Sequence, residues 1–160
     1  MRRAGASPSP ITSFEDLYKR EFAGVLALAY VLSGSRSAAE ELAQDAFLAA
    51  HRRWDTISAY DNPSAWVRRV CVNRSTSLMR RRTNEAKALA RLAGRRRLPD
   101  ELPSDADEFW RAVRRLPRRQ AQAVALHYVD DLSIADIAAV LNCAEGTVKA
   151  HLHRASPTAG

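Results

Sequence analysis

The stretch from Ser133 to Arg154, SIADIAAVLNCAEGTVKAHLHR, constrains the fold of this chain more than any other, because it dictates two short helices about a tight turn. Ser133 followed by Asp136 is a capping-box-like start, with an acidic residue standing where Glu or Gln is usual. Ile134, Ile137, Ala138 and Leu141 then recur at helical spacing and form one apolar face. Asn142 and Cys143 interrupt that pattern. From Ala144 a second helix turns Val148 and Leu152 inward and Gly146, Thr147, Lys149, Ala150, His153 and Arg154 outward. The pattern is a helix-turn-helix. Its outer face mixes small residues, which allow close approach, with long polar ones that reach base edges and phosphates in a DNA major groove. A solvated helical hairpin is the plainer alternative.

At 160 residues with 46% hydrophobic content the chain can form one domain or two small ones. The net charge of +7 is carried mainly by arginine and predicts a polyanionic partner. Acidic lipid is the weaker choice, since the longest nearly apolar run, Phe22 to Leu32, is far shorter than the roughly 20 residues of a membrane-spanning helix. The amino terminus, MRRAGASPSPITS, has no apolar core of a secretory signal, so a cytoplasmic protein without membrane insertion is expected. Cys71 and Cys143 lack CxxC spacing, and His151 and His153 diverge on a helix, so neither a metal nor a cofactor is expected.

Residues 1–12 read as a flexible lead. Ser13 with Asp16 predicts a helix to about Leu32, supplied by Phe14, Leu17, Tyr18, Val25, Leu28 and Leu32 and broken by Gly34 and Ser35. Ser37 with Glu40 predicts a second helix to about Trp54, whose buried stripe is Ala39, Leu42, Ala43, Ala46, Ala49 and Ala50. Opposite lie Glu40, Glu41, Gln44, Asp45, Leu48, His51 and Arg52. A leucine within an acidic face of a basic protein suits a protein-binding surface; the alternative is a solvated charged face with one harmless leucine.

After Tyr60 and Asp61, Asn62 and Pro63 form an N-cap and a first helical residue. The inner arc of that third helix is Trp66, Val67, Val70, Cys71 and Leu78, while Arg68, Arg69, Thr76 and Arg80 leave it. Arg74 falls on the inner arc and needs an acidic partner or a route to solvent. Between Thr83 and Ser104 an Ala/Arg-rich segment, able to extend the helix as far as Gly94, gives way to a Pro/Asp-rich one, which marks a domain boundary. Beyond it a helix through Phe109, Trp110, Val113 and Leu116 and another from Pro117, with Ala121, Val124, Ala125 and Tyr128 inward, precede the hairpin. No strand alternation occurs. The expected fold is all-α, with helical domains at 13–82 and 107–155, a flexible linker at 83–106 and a tail at 156–160.

The segments SAAEELAQDAFLAAHRRW, NPSAWVRRVCVNRSTSLMRRR and LPRRQAQAVALHYVDDLSIADIAAVLNCAEGTVKAHLHRA, in that order, resemble regions 2 and 4 of an extracytoplasmic-function sigma factor of the sigma-70 family. The resemblance implies a non-catalytic initiation factor that joins core RNA polymerase, recognises minus-35 and minus-10 promoter DNA and helps melt it. It implies that Glu40, Glu41, Gln44, Asp45, Phe47 and Leu48 meet the clamp helices of the beta-prime subunit, with the beta flap a further polymerase contact. The minus-10 element would fall to Tyr60, Asp61, Asn62, Trp66, Arg68, Arg69, Asn73, Arg74 and Arg80, with Tyr60 and Trp66 as aromatic candidates for an extruded base. The plainer role for Trp66 is a core residue. The minus-35 duplex would fall to Arg118, Arg119, Ser133, Thr147, Lys149, Ala150, His153 and Arg154. An anti-sigma factor is a further implied partner. Departures from the family pattern include Ser77 where an acidic residue is common, a lost serine cap at Ala144, and Asp131 at a common glycine position. The competing function is a stand-alone helix-turn-helix regulator, which would require a dimer on a symmetric site.

Overall fold

The computed structural model describes residues 9–93 and 105–156, all of whose regular elements are helices. The expected lead, linker and tail fall partly outside these residues. The order is α1 (Phe14–Ser33), α2 (Arg36–Arg52), α3 (Trp54–Ile57), α4 (Pro63–Ala93), α5 (Asp105–Arg114), α6 (Arg118–Tyr128), α7 (Ile134–Leu141) and α8 (Glu145–Ala155).

Side-chain capping sets the starts of α1, α2, α4 and α7. Ser13 accepts a hydrogen bond from the Asp16 amide at 3.1 Å, as its spacing predicts, and Asn62 Oδ1 accepts one from Ala65 at 3.0 Å. The cap of α2 is Ser35 rather than Ser37: Ser35 Oγ accepts from the Ala38 amide at 3.3 Å. The shift follows from Gly34, whose left-handed backbone (φ 70°) ends α1 and leaves Ser35 extended at the next helix entry. The expected run of α2 to Trp54 is broken at Arg53, and the short α3 fills the turn. At the other end, α4 continues to Ala93, so the Ala/Arg-rich segment does extend it.

Helices α1, α2 and α4 enclose a first core of Leu17, Val25, Ala29, Leu42, Ala43, Ala46, Phe47, Val67 and Cys71. The alanines of α2 allow the axes to approach closely. A second core joins the two halves of the chain: Leu28, Val31 and Leu32 of α1 and Ala65 and Val72 of α4 share one cluster with Leu126 of α6, Ile137, Val140 and Leu141 of α7, and Val148 of α8. The two modules are thus packed together. One expectation fails in α6, where Tyr128 is 65% exposed instead of inward. The buried arc there is Ala121 to Leu126, because α6 is covered by α8 on one side and by α1 and α7 on others.

Candidate nucleic-acid interface

On α2, Glu40, Glu41 and Gln44 are exposed and Asp45 is half-buried, with Leu48 47% exposed among them. Phe47 does not belong to that surface. It is buried against the rings of Tyr18 and Phe22 and supports the face from beneath. The alanine stripe rotates the helix so that Phe47 takes the inner side. Arg74 is exposed rather than on the buried arc of α4, so it has its route to solvent, and Asp45 lies 3.5 Å from it. Both side chains remain about half exposed, so the pair adds little stability.

Tyr60 is 48% exposed on the α3–α4 connection, with Asp61 and Asn62 exposed beside it. Trp66 is half-buried and packs on the first core. Asn73, Arg74 and Arg80 are exposed along α4. Arg68 departs from the outward position expected of it, being only 7% exposed. Its Nη1 lies 2.7 Å from Glu21 Oε2 of α1, and its Nε donates to Asp130 Oδ2 at 3.0 Å, across the module boundary. Arg69 is half-buried, donating from Nε to the Val140 carbonyl at 3.2 Å and from Nη2 to that of Ala139. Helical period separates a core stripe from the rest of a helix, but it carries no sign of a second module covering part of that remainder.

Burial disfavours the charge of Arg68, yet the two carboxylates outweigh it and hold its pKa above the ordinary value. Burial pushes the Asp130 carboxyl up against the pull of Arg68. The geometry supports a charged pair, since the guanidinium does not deprotonate and meets two carboxylates at hydrogen-bonding distance.

In the second module Ser133 accepts from the Asp136 amide at 3.1 Å and starts α7. Asn142, in the left-handed conformation at φ 53°, ends α7, and its amide donates to the Ala138 carbonyl. Helix α8 follows with Val148 buried and Leu152 half-buried, and Thr147, Lys149, His153 and Arg154 exposed with Ala150 at their edge. Gly146 faces open space. Arg118 and Ser133 are exposed, and half-buried Arg119 reaches Gln122 Oε1 at 3.4 Å. The sequence-based residues therefore fall into three groups: an acidic face on α2, a basic and aromatic band on the loop and α4, and a basic outer face on α8. Glu21, Asp130 and Arg114, which join the modules, were missed. Gly24, a glycine inside a helix, was the readable sign of a close approach there.

Two helical modules, the second ending in a helix-turn-helix, are the architecture of the sigma-70 family. The model of sigma-70 region 2 matches residues 17–85, and that of sigma-70 region 4 matches residues 106–156. Similar proteins include the ECF RNA polymerase sigma factor SigW of Bacillus subtilis, 28% identical over 87% of this chain and 81% of its own length. The ECF RNA polymerase sigma factor SigM of Mycobacterium tuberculosis is 33% identical over 89% of this chain and 73% of its own. Among solved structures, the sigma factor RpoE bound to the anti-sigma factor NepR from Bartonella quintana aligns with a TM-score of 0.70 and 26% identity, covering 91% of this chain and 92% of that one. CnrH, solved with the cytosolic domain of CnrY, aligns at 0.62 and 23% identity over 89% of this chain and 81% of its own, which supports the fold alone. The chain belongs to the extracytoplasmic-function group of the sigma-70 family, and its role is that of an RNA polymerase sigma factor. No described helix is long and apolar enough to cross a membrane.

Proposed function

We propose that this sigma factor binds core polymerase through the α2 face, reads duplex minus-35 DNA with α8, and captures melted minus-10 DNA with the Tyr60 loop and α4. The observation that carries this reading is the opposed character of its surfaces: an acidic face with an exposed leucine on α2, and basic outer faces on α4 and α8. An acidic patch repels DNA but complements a basic protein surface, and an exposed apolar centre gains from desolvation on docking. Strand opening costs stacking and pairing energy, which capture of an extruded base and cationic contacts to the strand offset. Catalysis by the chain itself is not part of the reading. That RpoE was solved with the anti-sigma factor NepR supports a protein inhibitor for this chain as well.

Run-off transcription with core polymerase on genomic promoter fragments tests the proposal. The wild-type chain should give discrete transcripts. Glu41→Lys combined with Asp45→Lys should abolish them and remove co-purification with polymerase while leaving the helical circular dichroism unchanged. Polymerase binding that survives the double reversal would move the docking surface elsewhere. Tight operator binding without polymerase, and no transcripts, would favour the stand-alone regulator.

A further inference from the structure

A cavity of about 510 Å³ is bounded by α1 and α4 on one side and by α5 and α6 on the other. Its floor is apolar, built from Leu32, Val113, Leu116 and Ala121. Three guanidinium groups also line it, those of Arg80, Arg114 and Arg118, and no carboxylate is among its described lining residues. Low-dielectric walls that carry charge of one sign concentrate the field between them, so the cavity attracts anions.

Arg114 is the fixed member of the three. It is half-buried, and its Nη1 donates to the Val31 carbonyl at 2.9 Å, a neutral acceptor that satisfies one N–H and none of the charge. The guanidinium rests on the backbone at Gly34, where an added Cβ would stand 2.9 Å from Arg114 Cζ. Burial, and after it the neighbouring Arg111, hold its pKa below the ordinary value, against the pulls of Tyr30 and Asp107. An anion that entered the cavity would remove that disadvantage. Arg80 and Arg118 line the same space from α4 and α6 and are exposed to solvent.

Charge and floor together select the ligand. Three arginines exceed what a single carboxylate can use, whereas a chain of phosphates has oxygens enough for a forked contact with each. Bare phosphate, or a nucleic-acid backbone, would leave the apolar floor uncovered; an organic group joined to the phosphates covers it. Thr76, Asn84 and Gln122 add donors and acceptors of the kind that meet the edge of a base. Gln122 is only 4% exposed and its Nε2 donates to Thr76 Oγ1 at 3.3 Å, so these two groups are preset by the fold. We propose that the cavity is a nucleotide site, in which a nucleoside triphosphate lays its base on the floor and its phosphates among Arg80, Arg114 and Arg118. The volume falls within the roughly 300–1,000 Å³ of small-molecule sites. Arg80 and Arg118 also belong to the promoter-binding surfaces proposed above, but the nucleotide site rests on the cavity alone.

The test is calorimetric titration of the full chain, without polymerase or DNA, using the ribonucleoside triphosphates, adenosine and inorganic tripolyphosphate as probes. At least one nucleotide should bind saturably, one per chain, and roughly tenfold or more tightly than adenosine or tripolyphosphate, each of which lacks the other's contacts. Arg80→Gln and Arg118→Gln, at exposed positions, should each weaken it by roughly tenfold, the equivalent of one charged hydrogen bond. Arg91→Gln removes the same charge from α4 outside the cavity and should leave binding unchanged. Photolabelling with an azido analogue of the tightest nucleotide should modify α4 together with α5 or α6. Absence of saturable binding overturns the site. Equal weakening by Arg91→Gln overturns it as diffuse attraction to a basic protein, and tripolyphosphate binding as tightly as the nucleotides overturns it as an adventitious ion only. A label confined to α8 or the Tyr60 loop overturns it by placing the ligand on a DNA-binding surface.

Discussion

Cys71 and Cys143 have the same chemistry and opposite surroundings. Cys71 is fully enclosed in the first core, where burial pushes its thiol up to about 12, whereas Cys143 sits half-exposed in the turn before α8. A thiol reagent attacks the thiolate, so iodoacetamide at pH 8 should alkylate Cys143 and spare Cys71 until the chain unfolds, as mass spectrometry of peptides can check. The sign of the linked stability effect follows. The unfolded thiol releases its proton near pH 9 and the folded one does not, so above that pH the unfolded state is favoured by up to about 1.4 kcal/mol per pH unit. Cys71→Ala should flatten the alkaline decline in stability relative to wild type; an unchanged decline would show the thiol ionising freely in the fold. Asp131 illustrates a different residue-scale choice. It holds a left-handed backbone at φ 51°, a conformation that aspartate tolerates better than most non-glycine residues.

Among the elements, α8 starts without a side-chain cap, as α3 and α6 do. Ser13, Ser35, Asn62 and Ser133 each cap a helix through a side-chain oxygen, but Ala144 has extended backbone and no side-chain oxygen to offer α8. The first-turn amides of the proposed recognition helix therefore lack that partner. Ala144→Ser should stabilise the second module by about 1 kcal/mol, read as a higher melting midpoint. An unshifted midpoint would mean that those amides are already satisfied by water at no loss. Element identities were legible from sequence because caps and apolar periodicity are local: α1, α4, α7 and α8 follow their signals closely. The misplaced cap at Ser37, the break at Arg53 and the outward Tyr128 mark the places where neighbouring elements override local preference.

For the whole molecule, the shared cluster is the decisive feature. Leu28 belongs to α1 but is fully buried in a core that contains residues of α6, α7 and α8. Leu28→Ala should cost about 2–5 kcal/mol, and because the cavity opens in the common core the loss should shift one cooperative calorimetric transition. Two transitions, of which only one moves, would show that the modules unfold independently.

The candidate surfaces divide along the same line. The acidic α2 face and the outer face of α8 were legible because each is defined within a single helix, as residues outside an apolar stripe. Phe47, Arg68 and Arg69 were misjudged because their burial depends on the rotation of α2 or on the approach of another module. The sequence by itself determined an all-helical chain, its caps, its helix-turn-helix and the sign of charge on each face, since these rest on interactions within a few residues. Only the tertiary structure decided which outward positions remain free: Glu21, Gly24, Arg68 and Asp130 are far apart along the chain, and their burial and charge pairing come into being when α1, α4 and the second module meet.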